Sequence, residues 1–116
     1  YIDKRQNIAN CYFNGFAKNP KIRTIKVNPN GRMAFFLFPI FVENRDIVNK
    51  KINDAGIDTR LCYHYPMYKH PAFAEYSNNY CKNAEKIAES VINLPIHNRL
   101  TDEEIEYIIK VVNDVV

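Results

Sequence analysis

Ten consecutive apolar or near-apolar residues, Met33 to Val42, sit between two turn signals, and they constrain the fold more than any other stretch of this chain. Asn28-Pro29-Asn30-Gly31 precedes them; proline presets φ and Asn-Gly tolerates positive φ. Asn44, a good helix N-cap, follows them. At 1.5 Å per helical residue such a run is too short to span a bilayer. It reads as a strand buried on both faces. Pro39 cannot donate a ladder hydrogen bond, so a bulge or an edge is expected there.

Around this strand the apolar spacing changes character. From Ile2 to Phe16, steps of three and four mark an amphipathic helix, weakened at its end by Gly15 and closed by Asn19-Pro20. Ile22–Val27 is a short extended piece. A helix runs from Asn44 through Ala55 with Ile47, Val48, Ile52 and Ala55 inward, and Gly56 stands where a left-handed residue ends it. Ile57–Tyr65, rich in β-branched and aromatic residues, reads as a second strand stopped by Pro66. A third helix opens at Lys82-Asn83 and carries Ala84, Ile87, Ala88, Val91 and Ile92 before Asn93 stops it. Leu94-Pro95-Ile96 is a further short extended segment. Thr101 and Glu104 form a capping box for a last helix with Ile105, Ile108, Ile109, Val112 and Val116 on one stripe. Two or three strands with helices on one side make a two-layer α+β domain, with the first and last helices flanking the sheet.

The bulk numbers agree with one such domain. The chain has 116 residues, 47% of them hydrophobic and 25% charged, enough for a single modest core and unlike a disordered segment. A net charge of +3, spread without a block of like charges, gives no sign of nucleic-acid or membrane binding. Three cysteines make no disulfide framework, and a cytoplasmic location is expected. Cys11 and Cys81 read as small buried hydrophobes. The chain starts at Tyr1 inside a helical pattern, which reads as a piece of a larger polypeptide.

Gly56–Phe73 has a different composition. Its eighteen residues hold four tyrosine or phenylalanine rings, two histidines, two cations and two prolines. Core filling has no need of that mixture, and a loop on a rigid scaffold is a common place for binding chemistry. Tyr63, His64, Tyr65, Tyr68, His70, Arg60 and Lys69 cluster there. The plain alternative is a proline-rich loop whose rings pack under a neighbouring domain. Cys62, His64, His70 and Cys81 are possible zinc ligands, but only one pair is close and the spacing is irregular. No serine elbow, glycine-rich phosphate loop or paired-carboxylate constellation is present. Glu103 and Glu104 belong to a helix first turn, and His97 reads as a surface or core-edge residue.

Gly56-Ile57-x-Thr59, then Tyr63, Pro66 and Pro71-Ala72-Phe73, resembles the small domain of the DegT/DnrJ/EryC1/StrS aminotransferases, which aminate keto-sugars on nucleotide carriers with pyridoxal phosphate. Cys81-x-Asn83-Ala84-Glu85, Asn93-Leu94-Pro95-Ile96, Leu100-Thr101 and Glu103-Glu104-Ile105 are similar to that family's later segments. Lys4-Arg5-x-x-Ile8-Ala9-x-x-Tyr12 resembles its helix between large and small domains. Cys62 and Tyr68 stand where the family often has histidines, His70 replaces a glutamine, and His64 is displaced by two residues from the first histidine position.

The resemblance implies a C-terminal small domain over 1–116, with 1–18 as the interdomain helix and 28–116 as the α+β core. It implies a preceding large domain that carries the Schiff-base lysine and holds the pyridoxal phosphate, so this segment alone should bind no cofactor and should be inactive. It implies a homodimer that transfers an amino group, usually from glutamate, to a keto-sugar nucleotide. Arg60, Tyr65, Tyr68 and His70 are then the expected substrate contacts, and Lys69 is not the Schiff-base lysine. The competing reading is a stand-alone α+β module that binds a ligand or protein through the aromatic loop.

Overall fold

Tyr12 shows how the chain closes on itself. Its ring is fully buried, 4.9 Å between centroids from Phe38 and 5.9 Å from Phe16, and its hydroxyl donates to the Pro95 carbonyl at 2.6 Å. Burial, with Cys11 adding a smaller contribution, pushes this phenol well above the ordinary tyrosine range, so it stays a neutral donor. The computed structural model in which these contacts occur describes residues 1–63 and 65–116.

Four α-helices and a three-stranded sheet make up the described chain. In order these are α1 (Ile2–Phe16), β1 (Arg23–Thr24), β2 (Phe38–Phe41), α2 (Arg45–Asp54), α3 (Lys82–Ser90), β3 (Val91–Leu94) and α4 (Asp102–Val115), with two short 3-10 segments, Met67–Lys69 and Pro71–Tyr76, before α3. The sheet is antiparallel in the order β1-β2-β3, with Ile40 opposite Ile92 and Phe38 opposite Leu94. These four residues form the buried face. Ile8, Tyr12 and Phe16 of α1, Val48 and Ile52 of α2, and Ile105, Ile108 and Val112 of α4 join them in one core. The fold is therefore α+β, as the spacing requires.

Only part of the apolar run is strand. Phe35 adopts φ 49° and turns the chain, placing its ring against Phe13 and Phe38. Burial then alternates along β2, with Phe38 and Ile40 inside and Pro39 and Phe41 half-exposed, so one face is buried rather than two. Pro39 sits in the middle strand, where a proline is unusual. Asn93, opposite it, exchanges both backbone hydrogen bonds with Arg60 on the other side, so the β2–β3 ladder asks no donor of Pro39. The two-residue β1 ends before reaching it.

Three other boundaries move. Among the described residues of 57–65 no strand forms, and only Arg60 makes a bridge, to Asn93; His64 lies outside those residues. The third helix ends at Ser90, because Val91 and Ile92 pair with Phe41 and Ile40 and form β3. Their β-branching suits that role and is disfavoured in a helix. The third strand is thus Val91–Leu94, all four residues buried, and not Leu94–Ile96.

Side-chain assignments change with them. Ile47 is 60% exposed; the inward stripe of α2 is Arg45, Val48 and Ile52. Ile87 is likewise exposed, and α3 buries Glu85 and Ala88. Arg45 is tolerated inside because its Nη1 donates to the Ala88 and Val91 carbonyls at 2.8 and 3.2 Å, and its Nε donates to Asp46 at 2.7 Å. Asn44 sits at the N-cap position but in the left-handed region, φ 52°, with no side-chain cap. Cys11 and Cys81 are exposed, not buried. Gly56, at φ 88°, ends α2 as expected, and Thr101 and Glu104 exchange both hydrogen bonds of a capping box.

Gly15 does more than weaken a helix end. A Cβ there would lie 2.6 Å from Ile109 Cγ2, so α1 and α4 touch at a point only glycine permits. Gly15→Ala should destabilise by about 1–3 kcal/mol through overpacking, despite alanine's better helix propensity. Urea denaturation in wild-type and Ile109→Ala backgrounds checks this; the cost should shrink when Ile109 is cut back, and an equal cost in both would contradict the close approach.

Candidate functional site

The segment after Gly56 leaves the core within a few residues. Ile57 is the last fully buried core residue of this stretch, and half-buried Leu61 packs against the same cluster. Thr59 Oγ1 lies 2.5 Å from Asn49 Oδ1 and 3.0 Å from Asn53 Oδ1, tying the chain back to α2. Arg60 then pairs with Asn93 through both backbone groups, at 3.1 and 2.8 Å. The buried Asn93 side chain continues this pairing. Its amide nitrogen donates to the carbonyls of Arg60 at 3.1 Å and Cys62 at 3.0 Å, replacing the next rung of a ladder. In the sequence Asn93 reads as a helix stop and as part of the Asn93-Leu94-Pro95-Ile96 resemblance, not as a side-chain partner of this stretch.

Beyond Cys62 most of the chain is open to solvent. Tyr63 is 83% exposed, and every residue from Pro71 to Asn83 is exposed. His70 accepts the Ala72 amide at Nδ1, 3.1 Å, so it caps the second 3-10 segment and keeps its proton on Nε2. Its ring lies 5.8 Å from Tyr65 and 6.1 Å from Phe73, making an aromatic group at the loop surface. Tyr68 and Lys69 point the other way, onto α3. Tyr68 donates to Glu85 Oε1 at 2.6 Å and Lys69 Nζ donates to Oε2 at 2.8 Å. The backbone amide of Cys81 donates to the Tyr68 hydroxyl at 3.1 Å.

Charge states follow from these contacts. The hydrogen bond from Lys69, then that from Tyr68, holds the Glu85 carboxyl below its usual range. The same bond to Glu85 raises Lys69, which remains an ammonium ion. Desolvation raises Tyr68, with Glu85 contributing in the same direction and the Cys81 amide opposing it.

The four residues singled out in the sequence do not share one pocket. Tyr65 and His70 stand together on the loop, and Tyr68 lines a shallow cleft with Lys69, Ser77, Tyr80, Glu85 and Glu89. Arg60 borders a separate and larger cleft of about 490 Å³ between the start of α1, the end of β3 and α4. Arg5, Phe36, Asp58, His97 and Tyr107 also line it, and Arg5 Nε there is buried with no partner among the described residues. His97 is exposed and accepts the Arg99 amide, a surface role. Among the described residues no three His, Cys, Asp or Glu side chains gather as a metal site. His64, one of the possible zinc ligands, lies outside those residues. Among the same residues no helix is long and apolar enough to cross a membrane.

Residues 1–113 match the model of the DegT/DnrJ/EryC1/StrS aminotransferase family. The chain belongs to that family. It is 28% identical over 117 residues to the dTDP-3-amino-3,6-dideoxy-alpha-D-galactopyranose transaminase of Aneurinibacillus thermoaerophilus, covering 97% of this chain and 32% of that protein. Its fold superimposes with a TM-score of 0.90 on S. venezuelae DesV, solved in complex with a ketimine intermediate, at 27% identity over 98% of this chain and 31% of DesV. The PLP-form of the putative sugar aminotransferase Spr1654 from Streptococcus pneumoniae matches at a TM-score of 0.81, 27% identity, 98% of this chain and 31% of that one. The chain therefore spans about a third of the length of these relatives. The family is one of pyridoxal-phosphate enzymes that act on sugars.

Asn93→Ala removes two donors and leaves the Arg60 and Cys62 carbonyls without this partner. A loss of about 1–3 kcal/mol is expected, read as a lower denaturant midpoint, together with faster amide exchange at Arg60.

Proposed function

We propose that this chain is the C-terminal small domain, residues 1–116, of a pyridoxal-phosphate sugar aminotransferase that moves an amino group, usually from glutamate, to a keto-sugar nucleotide. Residues 1–18 are its interdomain helix and 28–116 its α+β core. The observation that carries this reading is the family match across 1–113 in a chain spanning about a third of its sugar-aminotransferase relatives. A large domain then precedes Tyr1, and the intact enzyme is a cytoplasmic homodimer.

The residues of this chain do not by themselves fit the cofactor. A Schiff base needs a free amine, whereas Lys69 is the donor in an ion pair with Glu85 that stabilises its protonated form. The remaining lysines border none of the clefts described above. On this reading the lysine that carries pyridoxal phosphate belongs to the large domain, as the family resemblance implies, and this segment alone is inactive.

What this chain supplies is a wall. Arg60 offers a guanidinium for a phosphate oxygen of the nucleotide, where paired donors and fixed charge are most effective. Tyr65 and His70 offer ring faces and the His70 Nε2 proton. Tyr68, whose hydroxyl is already engaged with Glu85 and the Cys81 amide, contributes its ring face rather than a new hydrogen bond.

The test uses the polypeptide that carries this segment, purified with pyridoxal phosphate and given glutamate and keto-sugar nucleotides. Formation of 2-oxoglutarate with the amino sugar is expected, and Arg60→Ala should raise the KM for the nucleotide sugar about tenfold, the loss of one charge-assisted bond. A protein that holds no pyridoxal phosphate and turns over no sugar, yet binds another ligand through the aromatic loop, would instead be the stand-alone module.

A further inference from the structure

Glu85 is a buried carboxylate, 8% exposed, at the N-terminal end of a nine-residue helix, and both of its oxygens are used by one loop. Apolar burial cannot hold that loop. Between Pro66 and Tyr80 only Pro66 is buried and only Tyr68 is half-buried. Tyr68 and Lys69 make the polar contacts from this stretch to α3 and its N-cap. Helix α3 is itself fixed from its other end. Arg45 takes the Ala88 and Val91 carbonyls, and the Val42 amide donates to Ser90. A rigid path thus runs from the sheet through Arg45 to α3 and from Glu85 to the loop.

We propose that Glu85 is the latch that sets the position of the aromatic loop, and so a positioning residue for whatever the loop contacts. Tyr68 and Lys69 are adjacent in sequence, yet each is taken by a different oxygen of the same carboxylate, which fixes both the distance and the rotation of the first 3-10 segment. The Tyr68 hydroxyl also receives the Cys81 amide at the N-cap of α3, where the Cys81 side chain makes no cap. Loop and helix therefore complete each other. The nearby groups are Ser77, Tyr80 and Glu89; the Glu89 carboxylate favours the ammonium form of Lys69.

The latch has a definite pH window. Glu85 has a folded value below its usual 4.5, so its contribution is present above that value and is lost as pH falls through the lowered one. Lys69 and Tyr68 have folded values raised above 10.5 and 10.0, so theirs is present below those values and is lost only as pH rises through the raised ones. Anchoring should be flat across neutral pH. Loosening near pH 6–7 would point to a histidine instead.

Amide exchange of residues 66–80, corrected for intrinsic rates, tests the latch in the protein itself. Glu85→Gln should speed exchange there about tenfold or more while α1, α4 and the sheet keep their protection, since opening is local. Lys69→Met, on the exposed partner, should act in the same direction and decides the matter if Glu85→Gln fails to fold. Glu85→Asp, too short to reach both partners, should restore protection only in part. Unchanged loop exchange in a folded Glu85→Gln or Lys69→Met protein overturns the proposal, as does a transition near neutral pH. Its catalytic consequence rests on the proposed function: in the intact enzyme Glu85→Gln should raise the sugar-nucleotide KM with little change in kcat. A loosened loop with an unchanged KM would leave the latch standing and remove the loop from the substrate site.

Discussion

A single phenol inside the core holds the first helix to the segment that follows the last strand. Tyr12 is buried against Phe16 and Phe38, and a buried hydroxyl donor needs an acceptor. The Pro95 carbonyl supplies it. The hydrogen bond is modest in net energy, but it has one geometry, so it sets the height of α1 along the sheet as apolar packing alone would not. Gly15 then brings α1 against Ile109 of α4, and the same core extends to α2. What lies further out depends on this arrangement, because Asn93, two residues before Pro95, pairs with the Arg60 backbone and holds the Cys62 carbonyl.

Two kinds of adhesion divide the molecule. Residues up to Ile57 and from Val91 onward are held by burial of aliphatic and aromatic side chains. The stretch from Pro66 to Tyr80 is tied by a carboxylate, a phenol and an ammonium to the flank of α3. Polar contacts at a wet surface give position at a lower energy than core packing does. The loop is consequently the part of the described fold most able to adjust without disturbing the rest.

Features with a local cause were legible in the sequence. The capping box at Thr101 and Glu104, the left-handed Gly56 and the stripe of α4 each follow from a few adjacent residues. Features with a distant cause were not. Val91 and Ile92 continue the helical spacing of α3 and became strand only because Ile40 and Phe41 lie opposite them. Arg45 and Glu85 look like surface charges; their burial depends on carbonyls and loop residues between 16 and 46 positions away. Tyr68 is expected at the substrate from its place in the family resemblance, and no neighbouring residue signals that its hydroxyl is engaged with Glu85 and the Cys81 amide.

Because Pro71 to Asn83 contributes no buried side chain, these thirteen positions are almost free of folding constraint. Substitutions there cost little stability as long as Glu85 keeps its two partners at 68 and 69. A laboratory library confined to those positions would therefore vary the exposed surface of the loop without first having to rescue the fold.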